Sequence, residues 1–103
     1  MIVSRLRMIF TDAEMERIRV EELENGELQI TTDVHGLSCK EVRKFISNII
    51  SLVKKAFELI VIHGYLHGIA IKEMLVQHFE NDHISEKYGD HFNYGVTHMV
   101  IVP

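Results

Sequence analysis

Two short segments constrain this chain more than anything else in it: Asp33-Val34-His35-Gly36 and His63-Gly64-Tyr65-Leu66-His67-Gly68. Each follows an apolar run of strand character and precedes a segment of helical character. Each therefore marks a corner at the end of a strand, where an open α/β layer builds its ligand site. A single His-Gly pair is a weak signal. Two of them, joined by one helix-length connection, imply parallel strands bridged by a right-handed crossover.

The connecting helix is written plainly. Ser38-Cys39-Lys40-Glu41 is a capping box, in which the serine hydroxyl and the glutamate carboxylate satisfy each other's backbone N–H groups. Val42, Phe45, Ile46, Ile49, Ile50 and Val53 then recur at three- and four-residue spacing, giving one apolar stripe. Phe57 to Ile62 is a compact β-rich run, and Ile69, Ile71, Met74, Leu75 and Phe79 are the inner residues of a second helix. Val96 to Val102 is nearly all apolar and reads as a central strand. Ile84–Tyr88 is a candidate strand in an otherwise polar stretch. Upstream, Ile18 and Val20, then Leu28, Ile30, Thr32 and Val34, alternate around Asn25-Gly26, a pair favoured in hairpin turns because both positions need positive φ. Residues 16–34 are thus expected to form a hairpin, the rival being a short helix capped at Asn25-Gly26. Residues 1–10 show no clean period and suit either a strand or disorder.

The expected fold is a two-layer α/β sandwich: a mixed sheet of four or five strands, with helices at 38–56 and 69–80 on one face. The strand at 96–102 should be internal, beside a strand carrying one of the His-Gly corners. Residues 1–27 read as an N-terminal extension, a strand or hairpin arm, and residues 28–103 as the domain proper. At 103 residues the chain has room for one modest core. Its apolar stretches are far shorter than a membrane span requires, and the charged N-terminus lacks a signal-peptide layout. A single cysteine, Cys39, rules out an internal disulfide and suits a reducing cytoplasm.

The net charge of −4 argues against a strongly basic nucleic-acid binder, but the charge is unevenly spread. Residues 11–27 carry seven acidic side chains against Arg17 and Arg19, and residues 73–92 carry five against Lys87. Lys40, Arg43, Lys44, Lys54 and Lys55 lie on the segment between the two corners, where only Glu41 and Glu58 oppose them. A local basic face attracts phosphate even on an acidic protein.

Residue types at the corners suggest chemistry. Asp33 and His35 stand two apart on a strand and so share a face, where the carboxylate can orient the imidazole. If the two corner strands are neighbours, ~4.8 Å apart, His35 and His63 can face one another. Two imidazoles can then serve as base and acid for a phosphodiester, with the amides of residues 64–69 facing the same cleft and holding phosphate. No metal is obligatory in that scheme. His63 and His67 have the spacing of helical zinc ligands, but Gly64 and Gly68 make that stretch a poor helix. Asp82-His83 and Asp90-His91 add ligand types without a recognised motif.

Asp33-Val34-His35-Gly36-Leu37, the helix after it, His63-Gly64 before a second helix, and Gly95-Val96-Thr97 leading into Val100-Ile101-Val102 resemble the small MutS-related (Smr) domain. That family is marked by Leu-Asp-Leu-His-Gly, His-Gly-x-Gly-x-Gly and Gly-x-Thr-Val-Val, and the three elements come in the same order over residues 28–103. Here Thr32 and Val34 replace the two leucines, while Leu66 stands at the middle glycine of the loop and His67 at a small polar position. The resemblance implies β-α-β-α-β-β order, as in the C-terminal domain of translation initiation factor three. It also implies nucleic acid, RNA or DNA, as partner. The activity implied is a small endonuclease with Asp33, His35 and His63 catalytic and Gly36, Lys40, Lys44, Gly64, Tyr65, His67 and Gly68 in contact with the strand. The alternative is a binding module that keeps the fold without turnover.

Overall fold

The computed structural model describes residues 2–66 and 69–103. Its helices are α1 (Ile2–Arg7), α2 (Asp12–Met15), α3 (Cys39–Leu52) and α4 (Ile69–Glu73), the last continuing as a π-helical turn over Met74–His78. Five strands, β1 (Ile18–Glu22), β2 (Leu28–Asp33), β3 (Phe57–Ile62), β4 (Ile84–Gly89) and β5 (Val96–Ile101), form one mixed sheet in the order β1-β2-β3-β5-β4. Only β2 and β3 are parallel, and α3 bridges them. The apolar strand β5 is internal and lies against β3.

Strand parity sets the two faces of this sheet. Ile30, Thr32 and Val34, then Phe57, Leu59, Val61 and His63, then Thr97, Met99 and Ile101 are buried. The apolar members of that set join Val42, Phe45, Ile46, Ile49, Ile71 and Leu75 of the helices in one core. The alternate residues, among them Gln29, Thr31, Asp33, Glu58, Ile60, Ile62, His98 and Val100, are half-buried on the opposite face. Among the described residues no helix is long and apolar enough to cross a membrane.

Local chemistry accounts for the elements. Ser38 Oγ accepts from the Glu41 N–H at 3.1 Å while Glu41 Oε1 accepts from the Ser38 N–H at 3.0 Å, so the capping box is complete. The helix stops at Leu52, short of residue 56, because Val53 turns extended and buries its side chain in the core. The β1–β2 hairpin forms, but its turn differs from the expected one. Gly26 alone has positive φ (86°), and the Gly26 N–H donates to Leu23 O at 2.9 Å. This is a type I turn followed by a left-handed glycine, which needs no strained asparagine.

Residues 2–7 are helical, against the expectation of strand or disorder. Ile2, Leu6 and Phe10 recur every fourth residue, and Phe10 meets the Phe45 ring of α3 at 4.8 Å between centroids. Leu6 is wholly buried by the same packing. The second helix also departs from a plain α-helix. Lys87 reaches from β4 to donate to Leu75 O at 2.9 Å and to Phe79 O. Both carbonyls lie at the π-helical turn, where the normal backbone ladder is disrupted.

Candidate functional site

Three corners meet along the edge formed by the strand ends of the sheet, where β2 and β3 finish and β5 begins. The parallel register pairs Asp33 with Ile62, and the Val34 N–H donates to Ile62 O at 2.9 Å. Both glycines, Gly36 and Gly64, have φ of 83°, the left-handed region that side chains resist, so each corner turns its strand by the same device. The start of β5 closes in from the other side. Gly95 O accepts from the N–H groups of His63 (2.9 Å) and Gly64 (3.0 Å). A Cβ on Gly95 would sit 3.0 Å from Gly64 backbone carbons.

At the first corner Asp33 and His35 share the open side, as their spacing implies. His35 Nδ1 lies 2.5 Å from Asp33 Oδ1, which also accepts from the His35 backbone N–H at 3.1 Å. A carboxylate acceptor fixes the proton on Nδ1, so Nε2 is the nitrogen left to act. The imidazole is 71% exposed. Partial burial pushes the Asp33 carboxyl up, but the hydrogen bonds from His35 and the charge of Arg17 outweigh it, and the group stays below its ordinary value. A shallow hollow lined by Ala13, Glu16, Arg17, Asp33 and His35 opens here.

His63 is arranged differently, and the expectation that the two imidazoles face each other is not met. It lies on the core parity of β3 and is 1% exposed. Nδ1 meets Gly64 O at 2.7 Å and Nε2 meets Thr97 Oγ1 at 2.9 Å. A carbonyl only accepts, so Nδ1–H donates to it and Nε2 accepts from the threonine hydroxyl. Burial lowers the pKa of the ring, and Lys72 nearby adds to this against the Gly64 carbonyl, so His63 is held neutral. Both nitrogens are engaged inside the fold.

Gly36, Lys40 and Lys44 are exposed, and Lys44 lines a groove between α3 and the N-terminal segment with Phe10, Glu14, Arg17 and Leu37. Tyr65 is 55% exposed just past the second corner. His67 and Gly68 lie outside the described residues, and with them part of the backbone expected to hold phosphate. Among the described residues no group of three or more His, Cys, Asp or Glu side chains could hold a metal ion. His83 instead donates to Val102 O at 3.0 Å, and Asp90 is bound to His98.

Sequence reasoning passed over several residues. Arg17 Nη1 donates to the carbonyls of Asp33 (3.0 Å) and His35 (3.1 Å), a pairing the hairpin register would have disclosed. Tyr94 pairs with Tyr65, their centroids 5.7 Å apart, and the Lys72 ammonium lies 5.7 Å from the Tyr94 centroid. On the open sheet face His98 is 2.7 Å from Asp90 and 3.4 Å from Glu58, and stacks on Tyr88 at 4.8 Å. The bond from the Tyr88 hydroxyl to Glu58 pushes that phenol up to about 12. No local motif announces this cluster. Set against family models, curated proteins and solved structures, the chain matches none.

Proposed function

We propose that this chain is a two-layer α/β sandwich of the Smr type that binds RNA or DNA at the edge carrying the His-Gly corners. There it cleaves a phosphodiester bond with Asp33 and His35. The observation that carries the reading is the exposed imidazole held by a carboxylate at 2.5 Å. The order of elements from β2 onward, β-α-β-α-β-β, supports it as the order the motif resemblance implies. In this reading His35 Nε2 takes the proton from an attacking ribose hydroxyl or water. The imidazolium so formed is stabilised by Asp33 and returns the proton to the leaving oxygen. His63 acts as a positioning residue, tying the second corner to β5 through Thr97.

Labelled single-stranded RNA, a duplex and supercoiled plasmid, each incubated with and without chelator, test the proposal. Cleavage that survives chelation and disappears in His35→Ala and Asp33→Asn supports it. The second reading, a binding module without turnover, is favoured by the engagement of both His63 nitrogens, which among the described residues leaves His35 as the one open imidazole at the site. Strand binding with every substrate intact at high protein concentration would establish that reading instead.

A further inference from the structure

The eight aromatic residues of the chain divide cleanly. Phe10, Phe45, Phe57 and Phe79 are buried, whereas Tyr65, Tyr88, Phe92 and Tyr94 are exposed. Tyr65 follows the second corner, and Phe92 and Tyr94 lie between β4 and β5, so these three share the edge that carries His35. Their positions are braced: Gly95, next to Tyr94, approaches Gly64, next to Tyr65, closely enough that a Cβ would meet backbone at 3.0 Å. The two tyrosine rings are 5.7 Å apart and tilted by 40°. The Lys72 ammonium over the Tyr94 ring adds a cation at the same spot.

We propose that Tyr65, Tyr94 and Lys72 form a stacking site for an unpaired base, so that the strand this protein takes is single-stranded. The inference rests on the nucleic-acid reading above and adds the form of the substrate. Exposed rings offer a π-face to any base, and a nearby ammonium can meet the phosphate of a stacked nucleotide. A duplex keeps its bases inside and cannot use such a site. The charge balance points the same way. With a net charge of −4, phosphate attraction alone is weak, and stacking has to supply much of the affinity. Leu66 and Ile69 are exposed beside the rings, so a protein partner is the competing occupant.

Fluorescence anisotropy decides the matter, using a labelled uridine strand of about twelve nucleotides, an abasic strand of equal charge and a duplex of equal length. The full chain should bind the uridine strand more tightly than the other two. Tyr65→Ala and Tyr94→Ala should each weaken that binding by about 5- to 150-fold. Tyr65→Phe and Tyr94→Phe should stay near the parent value, and melting temperatures should hardly move because both rings are exposed. Equal affinity for all three ligands, or alanine variants that bind as the parent does, overturns the stacking site while nucleic-acid binding stands. A parent that binds none of the three overturns both, and leaves the rings to a protein partner.

Discussion

His63→Ala is the substitution most revealing of how this edge is built. The imidazole is 1% exposed and bonded at both nitrogens, and its partner Thr97 is wholly buried. Truncation leaves the Thr97 hydroxyl unpaired away from water, which costs about 1–3 kcal/mol. The vacated ring volume adds about 1–2 kcal/mol for lost packing. The Gly64 carbonyl, at a half-buried corner, can turn to water and adds little. A loss near 3 kcal/mol is expected, out of a typical total of ~5–15 kcal/mol. In a domain of this size that lowers the melting temperature by about 12–24 °C. Urea unfolding of parent, His63→Ala, Thr97→Val and the double variant gives the number directly, with m unchanged. The double-mutant cycle should show about 1 kcal/mol of coupling between the two side chains. His35→Ala in the same assay should fall within about 0.5 kcal/mol of the parent, since its ring packs on little. A His63→Ala loss below about 1 kcal/mol, or equal losses at the two histidines, would refute the separation of roles.

Three further outcomes are expected. Because the folded-state pKa of His63 lies below its ordinary 6.5, the unfolded chain takes up a proton that the folded chain refuses, and stability falls as pH drops through that value. Urea titrations at pH ~7.5 and ~5.5 should show this loss in the parent and a smaller one in His63→Gln. The Thr32 hydroxyl is buried with no hydrogen-bond partner among the described residues, so Thr32→Val should stabilise by about 1 kcal/mol in thermal unfolding, and a loss would reveal an overlooked partner. Lys40→Glu with Lys44→Glu should weaken strand binding and flatten its salt dependence without altering the melting temperature, whereas salt slopes equal to the parent's would remove these lysines from the interface.

Legibility followed how local the determinants are. Helix α3 could be read because its cap and its stripe lie within one stretch of sequence, and β5 because a nearly all-apolar run leaves few choices. Helix α1 could not, since Ile2, Leu6 and Phe10 offer one apolar residue per turn. What meets Phe10 is Phe45, far away in the chain. The π-helical turn was equally hidden, because its carbonyls are met by Lys87 from a strand not yet formed when the helix is read locally. Strand parity explains the histidines. Along β2 and just past its end, Ile30 and Val34 alternate with Thr31 and Asp33, so the outward side of Asp33 and His35 was readable. In β3, Leu59 and Val61 alternate with Ile60 and Ile62, both sets apolar, and nothing in the sequence says that His63 falls on the buried side.

That difference changes what the site is. Two histidines in the same His-Gly setting, turned by glycines with the same φ, would pass for one catalytic pair by motif alone. The fold divides them, making His63 a neutral strut and leaving His35 as the imidazole open to a ligand. Precision at His35 must then come from what holds its backbone, and that support lies outside the motif. Arg17, just ahead of β1, donates to the carbonyls on both sides of Val34, while the Asp33 N–H donates back to Arg17 O at 2.9 Å. The arginine and the carboxylate thus grip the same tripeptide from two directions. Residues ahead of position 28 therefore help to hold the backbone of this corner, and a chain that kept the His-Gly motif but lost Arg17 would keep the residues and lose that support.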